Sequence, residues 1–233
     1  MFERWEERFL SETQKDNSLE TSYIAAIDEA GRGSLFGPVT VGGILFRASE
    51  IINFKDFEFY DEVNDSKKLK PEKRKDVYEK ITRNCIYGVS HVSVKYIDTY
   101  NINKAVQYGA YRVIQNFQRK IKSKNQKADI VFAIIDGNYN FQYPALGMTS
   151  KMPKIFDLIQ GDSICFSVAA ASIIAKVTRD ALILKASTRF EGYGLEKNMG
   201  YGVKLHRNAL QEKGATTFHR KTFIKKIVMS NNS

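Results

Sequence analysis

The 233-residue sequence predicts an α/β domain in which helices flank a mixed β-sheet and a helical region follows at the carboxyl end. Two observations support this fold class. Apolar segments of strand length alternate with longer segments whose apolar residues recur every three or four positions. Beyond residue 190 the chain is basic and reads as helical. The longest apolar stretch, residues 165–175, contains two serines and is too short to span a bilayer, so we expect no membrane partner.

Five segments have the length and apolar composition of buried strands. The first ends in two adjacent acidic residues and runs directly into a glycine-rich loop, which makes it the most informative of the set. The predicted strands cover residues 22–28, 39–47, 86–94, 130–135 and 154–160.

Helices are predicted where apolar residues recur with helical spacing. Pro71 suits the first turn of one of them, because its missing N–H group is not needed there. The predicted helices cover residues 2–14 and 71–84, a segment that opens at Asn103 and a long segment that begins near Val168. We therefore expect a helical extension over residues 1–20, the α/β domain over 21–190, and a basic helical region packed on it over 191–233.

The net charge of +10 predicts a polyanionic partner. The basic residues are concentrated in two blocks. This distribution is more typical of a binding surface than of charges that serve solubility alone. Residues 112–127 contain six Lys or Arg and no acid, and residues 201–233 contain seven with one acid, Glu212. Nucleic acid is the favoured partner.

The two cysteines, Cys85 and Cys165, form no CxxC motif, which argues against a disulfide framework and a zinc site. Both lie in apolar surroundings and are interpreted as reduced core residues. The first ten residues mix acids with bases, unlike a signal peptide. These features predict a cytoplasmic location.

Acidic residues follow three of the predicted strands. Asp28 and Glu29 end the first strand, Asp136 ends the fourth, and Asp162 lies in the turn after the fifth. If these strands are neighbours, the four carboxylates converge at one sheet edge, and a divalent cation would relieve their repulsion. Oxygen ligands favour Mg²⁺ or Mn²⁺ over zinc. The alternative, that Asp136 or Asp162 is only a turn residue or a helix cap, remains open from the residues alone.

Asp180 is also notable, but it lies well inside the long predicted helix. We interpret it as a structural partner of Arg179 or Lys176 rather than as a metal ligand.

The glycine-rich loop after the first strand has two possible interpretations. Gly31, Gly33 and Gly37 resemble a dinucleotide-binding fingerprint, but their spacing is GxGxxxG and the adjacent acids would repel a pyrophosphate. The favoured interpretation is that the loop approaches a nucleic-acid backbone, because glycines let main-chain groups come close to the sugar. A simple tight turn would explain Gly37 and Pro38 but not Arg32.

Several motifs in order resemble those of the bacterial ribonuclease HII family. They are DEAGRG (28–33), NDSKKL (64–69), IDGN (135–138), GDS (161–163), AASIIAKVTRD (170–180) and GYGVKLH with GATTFHRKTF (200–223). The resemblance extends from about residue 23 to residue 223. It implies a ribonuclease H-like fold.

The resemblance also implies the chemistry. The family cuts the RNA strand of RNA–DNA hybrids and cuts duplex DNA 5′ of an embedded ribonucleotide, which suggests roles in DNA replication and repair. Carried over by position, two divalent cations (Mg²⁺ or Mn²⁺) would be held by Asp28, Glu29, Asp136 and Asp162. Hydrolysis would leave a 3′-OH and a 5′-phosphate, and we expect a monomer.

The same resemblance implies the substrate contacts. Gly31, Arg32 and Gly33 would sense the ribose 2′-OH, and Tyr201 would pack against the sugar of the next nucleotide. Ser66 and Lys67 fall where the family contacts the substrate backbone.

The sequence departs from the family pattern between Asp136 and Asp162, which are farther apart than usual. Gln160 and Val203 stand where lysine and threonine are common, and the segment after Asp162 lacks a frequent basic residue. Two alternatives are a ribonuclease HIII, whose loop resembles GTG rather than GRG, and a nucleic-acid-binding protein that has lost catalysis.

Overall fold

A mixed β-sheet forms the centre of the fold. In a computed structural model, residues 2–13, 19–139, 141 and 152–229 are described, and they contain a five-stranded sheet of order β3-β2-β1-β4-β5. β1, β2 and β3 pair antiparallel, whereas β1, β4 and β5 run parallel. The strands are β1 Ser22–Ala30, β2 Val39–Arg47, β3 Ile86–Val92, β4 Asp129–Asp136 and β5 Lys154–Leu158. The predicted mixed sheet is confirmed.

Helices cover both faces of this sheet and form the carboxyl-terminal region. Two short 3₁₀ turns, Phe54–Asp56 and Tyr60–Glu62, lie in the connection before α3. The helices are α1 Trp5–Thr13, α2 Ala48–Ile51, α3 Pro71–Asn84, α4 Val94–Tyr100, α5 Ile102–Lys124, α6 Gly161–Ile164, α7 Phe166–Ser187, α8 Leu195–Asn198, α9 Lys204–Lys213 and α10 Lys221–Met229.

Side chains that alternate along each strand build two cores. On β1, Ile24 and Ala26 belong to the core under α7, while Ala25 and Ile27 belong to the core under α5. This two-residue period is the geometry of an extended strand that is buried on both faces. The sheet is thereby held between α7 and α5, and its strand ends are fixed.

The first helix belongs to the same core as the sheet. Phe9 of α1 stacks on Phe156 of β5 at a centroid distance of 4.0 Å and meets Phe132 of β4 edge-on. Burial of aromatic rings in such pairs is a major source of core stability. Residues 2–13 are therefore packed against the α/β core.

The carboxyl-terminal helices pack against the loop that follows β1. A third apolar cluster joins this loop to α7, α8, α9 and α10. Its buried members are Leu35, Phe36, Ile183, Tyr193, Leu195, Ala209, Leu210 and Ile224. The basic region predicted over residues 191–233 thus supports the glycine-rich loop through an apolar interface.

Several boundaries differ from the sequence predictions. β1 extends to Ala30, because Glu29 and Ala30 still pair with Val41 and Thr40 of β2. β3 ends at Val92, since the Ser93 hydroxyl accepts the Tyr96 N–H at 3.2 Å and starts an unpredicted helix, α4.

The segments around Asp136 and Asp162 differ as well. Asp162 lies on the short helix α6 rather than in a turn, and α7 begins at Phe166. Most of the long connection after β4, residues 140 and 142–151, lies outside the described residues. Among the described helices, none combines the length and hydropathy needed to cross a membrane.

Candidate metal and substrate site

Three aspartates meet at the carboxyl ends of the parallel strands. Asp28 is on β1, Asp136 ends β4, and Asp162 follows β5 on α6. Each offers a carboxylate oxygen, and these oxygens lie within 4.8 Å of one another. Asp28 and Asp162 are buried, with exposed fractions of 6% and 5%. Parallel strands bring their carboxyl ends to one edge, which explains how distant positions in the sequence converge.

The electrostatics of this cluster fit a cation. Burial raises the pKa of Asp28 well above its usual range, and the charges of Glu29 and Asp136 raise it further. Burial and the Asp162 charge also raise the pKa of Asp136, although the Gly161 N–H donates to Asp136 Oδ1 at 2.7 Å and opposes the rise. Neighbouring carboxylates oppose one another's ionisation because their negative charges repel. A divalent cation removes this repulsion, and the same carboxylates then become favourable ligands. The donor set, oxygen only, suits Mg²⁺ or Mn²⁺.

Lys67 lies at the rim of this cluster. Its Nζ is 3.2 Å from Asp162 Oδ2. Burial lowers the pKa of Lys67, but the charge and hydrogen bond of Asp162, together with the charges of Asp65 and Asp28, outweigh burial and raise it. Ser66 is buried beside it, and the Ser66 carbonyl accepts a hydrogen bond from Arg74 Nε at 2.6 Å. The ammonium of Lys67 is therefore held at the mouth of the site and remains charged.

Glu29 is not one of the three carboxylates whose oxygens lie within 4.8 Å of one another. Its Oε1 is 3.6 Å from Arg32 Nη1, and the same Arg32 nitrogen donates to the Tyr139 hydroxyl at 2.5 Å. Burial raises the pKa of Glu29, whereas Arg32 opposes the rise. Glu29 Oε2 is buried and has no hydrogen-bond partner among the described residues. Of the four carboxylates predicted to share a site, the structure thus groups three and gives the fourth an arginine partner.

The two glycines that flank Arg32 have different surroundings. Gly31 has φ +86°, and a Cβ there would lie 1.8 Å from Arg179 Nε, so only glycine fits. A Cβ at Gly33 would meet no atom within 4 Å. The fold itself therefore requires Gly31 but leaves open space beside Gly33. Residues 31–38 lead into β2 rather than into a helix, as the rejection of a dinucleotide fingerprint predicts.

Two buried arginines, which the sequence interpretation missed as site residues, hold this loop by its carbonyl groups. Arg179 donates to Ser34 Oγ at 2.8 Å and to Phe36 O at 3.2 Å. Arg220 donates to the carbonyl oxygens of Arg32 at 2.8 Å and Gly37 at 3.0 Å. Hydrogen bonds from a charged group to several carbonyls fix a backbone strongly.

Burial affects the charge of both arginines. It lowers the pKa of Arg179, and burial together with the charge of Arg179 lowers the pKa of Arg220 to about 9. The sequence does contain a signal that Arg179 is a buried residue with a polar partner. It lies between Ala175 and Ile183 on the apolar stripe of α7, where an arginine needs a buried partner.

Tyr201 contacts the same loop, where it forms a β-bridge with Ser34. A chain of hydrogen bonds fixes its backbone. The Thr216 N–H donates to His219 Nδ1 at 3.0 Å, the two histidine Nε2 atoms are 3.1 Å apart, and His206 Nδ1 is 3.0 Å from the Tyr201 carbonyl. This network assigns the proton to Nε2 of His219 and to Nδ1 of His206. Burial lowers both histidine pKa values, that of His219 to about 4, which keeps them neutral.

The structure confirms one of the two partners predicted for Asp180. Lys176 Nζ donates to Asp180 Oδ1 at 3.0 Å, and Arg74 Nη1 is 3.8 Å from Asp180 Oδ2. Arg179 instead holds the glycine-rich loop.

An open cavity of about 580 Å³ connects these parts. Every predicted site residue except Asp162 lines it, and Asp162 lies next to it through Asp136 and Lys67. The lining residues are Asp28, Glu29, Ala30, Gly31, Arg32, Gly33, Ser66, Lys67, Arg74, Asp136, Lys176 and Tyr201. Carboxylates, cations and an aromatic residue therefore line the same cavity. This arrangement suits a metal-assisted reaction on a polyanion.

Comparison with known proteins agrees with this geometry. The model of the family described as Ribonuclease HII matches residues 25–226. Ribonuclease HII of Orientia tsutsugamushi (strain Ikeda) is 37% identical over 210 residues, which cover 90% of this chain and 89% of that protein. Ribonuclease HII of Fusobacterium nucleatum is 36% identical over 211 residues, covering 90% and 89%.

Solved structures share the fold. The ribonuclease H2 of Pyrococcus horikoshii OT3 superposes with a TM-score of 0.67 at 22% identity, covering 91% of this chain and 99% of that one. Bst-RNase HIII, solved in complex with Mn²⁺, gives a TM-score of 0.66 at 18% identity, covering 92% and 71%. The predicted ribonuclease H-like fold is confirmed.

Proposed function

The chain belongs to the ribonuclease HII family, and on that premise we propose that it hydrolyses RNA strands of RNA–DNA hybrids and cuts duplex DNA 5′ of embedded ribonucleotides. The chain is a ribonuclease H, a metal-dependent nuclease by family. The single observation that supports the reaction best is the group of carboxylate oxygens from Asp28, Asp136 and Asp162, which lie within 4.8 Å of one another. We place this activity in the cytoplasm, in DNA replication and repair, and assign it to a monomer.

Asp28, Asp136 and Asp162 are the residues that would hold the cations, with Glu29 as the fourth ligand after release from Arg32. Two divalent cations, Mg²⁺ or Mn²⁺, would supply an activated water and stabilise the leaving 3′ oxygen. Because the pKa values of Asp28 and Asp136 are raised, protons compete with the cations for these oxygens. The protein's own contribution is to present the ligands at fixed strand ends.

The glycine-rich loop would recognise the ribonucleotide. The space beside Gly33 lets the backbone approach a sugar, and Arg179 and Arg220 hold the loop in place from behind. Main-chain groups at fixed positions can hydrogen-bond a 2′-OH, which distinguishes RNA from DNA. In this proposal Gly31, Arg32 and Gly33 read the sugar at the scissile position.

Three further residues would orient the substrate. Lys67 would leave Asp162 and bind a phosphate, with Ser66 beside it. Tyr201, which lines the cavity, would pack on the sugar of the following nucleotide and favour a deoxyribose there. The basic blocks over residues 112–127 and 201–233 would contact duplex phosphates, so binding should weaken with salt.

Cleavage assays test the proposal. The protein is incubated with an RNA–DNA hybrid and, separately, with a DNA duplex that contains one ribonucleotide, with Mg²⁺, with Mn²⁺ or with a chelator. We expect cleavage of both substrates with metal and none with chelator. The Asp136→Asn variant should be inactive, and Asp76→Asn, which changes an exposed acid of α3, should match the wild type. Failure to cut either substrate with either metal would overturn the proposal.

A further inference from the structure

A buried acid on α1 accepts hydrogen bonds from residues that follow Asp162 closely in the chain. Glu6 is fully buried, and α1 precedes the family match, which starts at residue 25. A buried carboxylate is costly unless it is hydrogen-bonded. Glu6 Oε1 accepts the Ser167 N–H at 2.9 Å and the Cys165 thiol at 3.2 Å. Oε2 is buried without a hydrogen-bond partner in the described part of the chain.

These contacts cap α7 from another element. Ser167 is the second residue of α7, so its N–H has no acceptor within the helix. The residue before the helix, Cys165, supplies no side-chain cap. Glu6 fills this role, and its negative charge lies at the positive end of the helix.

The same segment also holds α6, the short helix that carries Asp162. The Glu3 N–H donates to the Ile164 carbonyl at 2.8 Å, and Glu3 forms a parallel β-bridge with Cys165. The ring of Phe2 packs edge-on against Phe166 at 5.8 Å. Residues 2–6 therefore fix the junction between α6 and α7.

We propose that Glu6 is a positioning residue of the metal site. By capping α7 next to α6, it fixes the turn that places Asp162 beside Asp28 and Asp136. The inference rests on the proposed function, because it takes these aspartates as the ligands of the divalent cations. In this proposal α1 contributes to the geometry of the metal site through Glu6.

Metal titrations of three variants test this role. Glu6→Ala removes the acceptor, Glu6→Gln keeps an oxygen acceptor but loses the charge, and Glu12→Ala changes an exposed acid on the same helix as the control. For each, we would measure the Mn²⁺ concentration that gives half-maximal cleavage, kcat at saturating Mn²⁺, and the rise in Tm caused by Mn²⁺.

The expected effect on Mn²⁺ binding is smaller for Glu6→Gln than for Glu6→Ala. The half-maximal Mn²⁺ concentration should rise about threefold in Glu6→Gln and about tenfold in Glu6→Ala, as for residues that orient metal ligands. The Mn²⁺-induced rise in Tm should shrink in the same order, because weaker binding stabilises less. At saturating Mn²⁺ kcat should recover to within about a factor of three of the wild-type value, a change small beside the loss expected when a ligand itself is removed. Glu12→Ala should match the wild type in all three.

A wild-type Mn²⁺ midpoint in Glu6→Gln would overturn the inference, even if Glu6→Ala does not fold, because Glu6 would then serve folding alone. A variant with low kcat and an unchanged midpoint would also contradict it. Failure of the proposed function would look different: the wild type would then show neither cleavage nor an Mn²⁺-induced rise in Tm, and the inference would fall with it.

Discussion

Asp28 and Glu29 are adjacent in β1 and line the same cavity, yet their carboxylates have different partners. Asp28 lies with Asp136 and Asp162, whereas Glu29 lies 3.6 Å from Arg32. Successive side chains of a strand point alternately to its two faces, so adjacent acids of β1 can have different partners. The two acids should therefore respond differently to substitution.

Removal of one aspartate of the cluster should abolish cleavage without unfolding the protein. We expect Asp28→Asn and Asp136→Asn each to lower the rate on the order of a thousandfold or more, because a metal ligand is lost. In metal-free buffer the free energy of unfolding should hold or rise, since a repelling buried charge is gone. Cleavage rates at saturating metal and melting curves measure both effects. A variant that keeps more than about a tenth of the wild-type rate would show that the residue is not a ligand.

Stability in metal-free buffer should fall as pH rises above the ordinary range of aspartate. The pKa values of Asp28 and Asp136 are raised in the folded state, so this state binds more protons than the unfolded chain between the unfolded value, about 3.9, and the raised values. Their contribution is therefore most favourable at low pH and is lost as pH rises through the folded pKa. Tm measured against pH in a chelator should show this slope.

A paired measurement isolates the source of the slope. Asp28→Asn should flatten it, and added Mg²⁺ should reverse it by favouring the ionised ligands. A wild-type slope in Asp28→Asn would assign the pH dependence to other groups.

Alanine substitutions at the two loop glycines should have different effects, one on folding and the other on substrate binding. Gly31→Ala should lower Tm, because alanine is strained at φ +86° and its Cβ would overlap Arg179. Gly33→Ala should melt like the wild type, since its Cβ meets only open space, yet should lose cleavage. Melting curves and kcat/KM on the single-ribonucleotide duplex measure the contrast. Full activity in a stably folded Gly33→Ala would mean that no sugar approaches this position.

Tyr201→Ala should affect the two substrates unequally. A ring packed on a nucleotide is worth about 1–3 kcal/mol, so cleavage at a lone ribonucleotide should fall roughly tenfold to a hundredfold. Long RNA–DNA hybrids should lose less, because they offer many registers and phosphate contacts. The readout is the ratio of kcat/KM on the two substrates, with Tyr100→Ala, an exposed tyrosine, as the control. An unchanged ratio with a lowered Tm would assign Tyr201 to packing.

Asp180→Asn should mainly cost stability. Its carboxylate pairs with Lys176 at 3.0 Å and lies 3.8 Å from Arg74, in a partly buried position. We expect a loss of about 1 kcal/mol in the free energy of unfolding. Asp76→Asn, in an exposed ion-pair network on α3, should cost less. If Asp180→Asn melts like the wild type but is inactive, Asp180 belongs to the metal site.

Local patterns in the sequence predict most of the fold. β2 and α3 have the predicted bounds, Val39–Arg47 and Pro71–Asn84, because apolar runs and a helix-starting proline mark their ends. The strand-end position of Asp136 and the proximity of Asp28, Asp136 and Asp162 are confirmed as geometry, whereas Asp28 lies inside β1 rather than at its end. The end of β1 was missed, because pairing of Glu29 with Val41 is a tertiary contact that local composition does not encode.

Side-chain partners across the fold were the least predictable feature. The sequence does not show that Glu29 has a different partner from the three aspartates. It also does not show which loop groups Arg179 and Arg220 bind. In the loop, the arginines bind the carbonyls of Phe36 and Gly37, which lie more than 140 positions away in the sequence, and carbonyls carry no sequence signal. Glu6 reads as an ordinary acid of a surface helix until α7 is packed against it.

The ends of the cleaved strand test the proposed reaction most directly. A DNA duplex with one ribonucleotide is cut in ¹⁸O-labelled water with Mg²⁺, and both product ends are identified by mass spectrometry. Attack by a metal-activated water should give a single cut 5′ of the ribonucleotide, with a 3′-OH on one fragment and a solvent-labelled 5′-phosphate on the other. A cut on the 3′ side that leaves a 2′,3′-cyclic phosphate and an unlabelled 5′-OH would mean that the 2′-OH is the nucleophile, and would contradict a role for Asp28, Asp136 and Asp162 in delivering water.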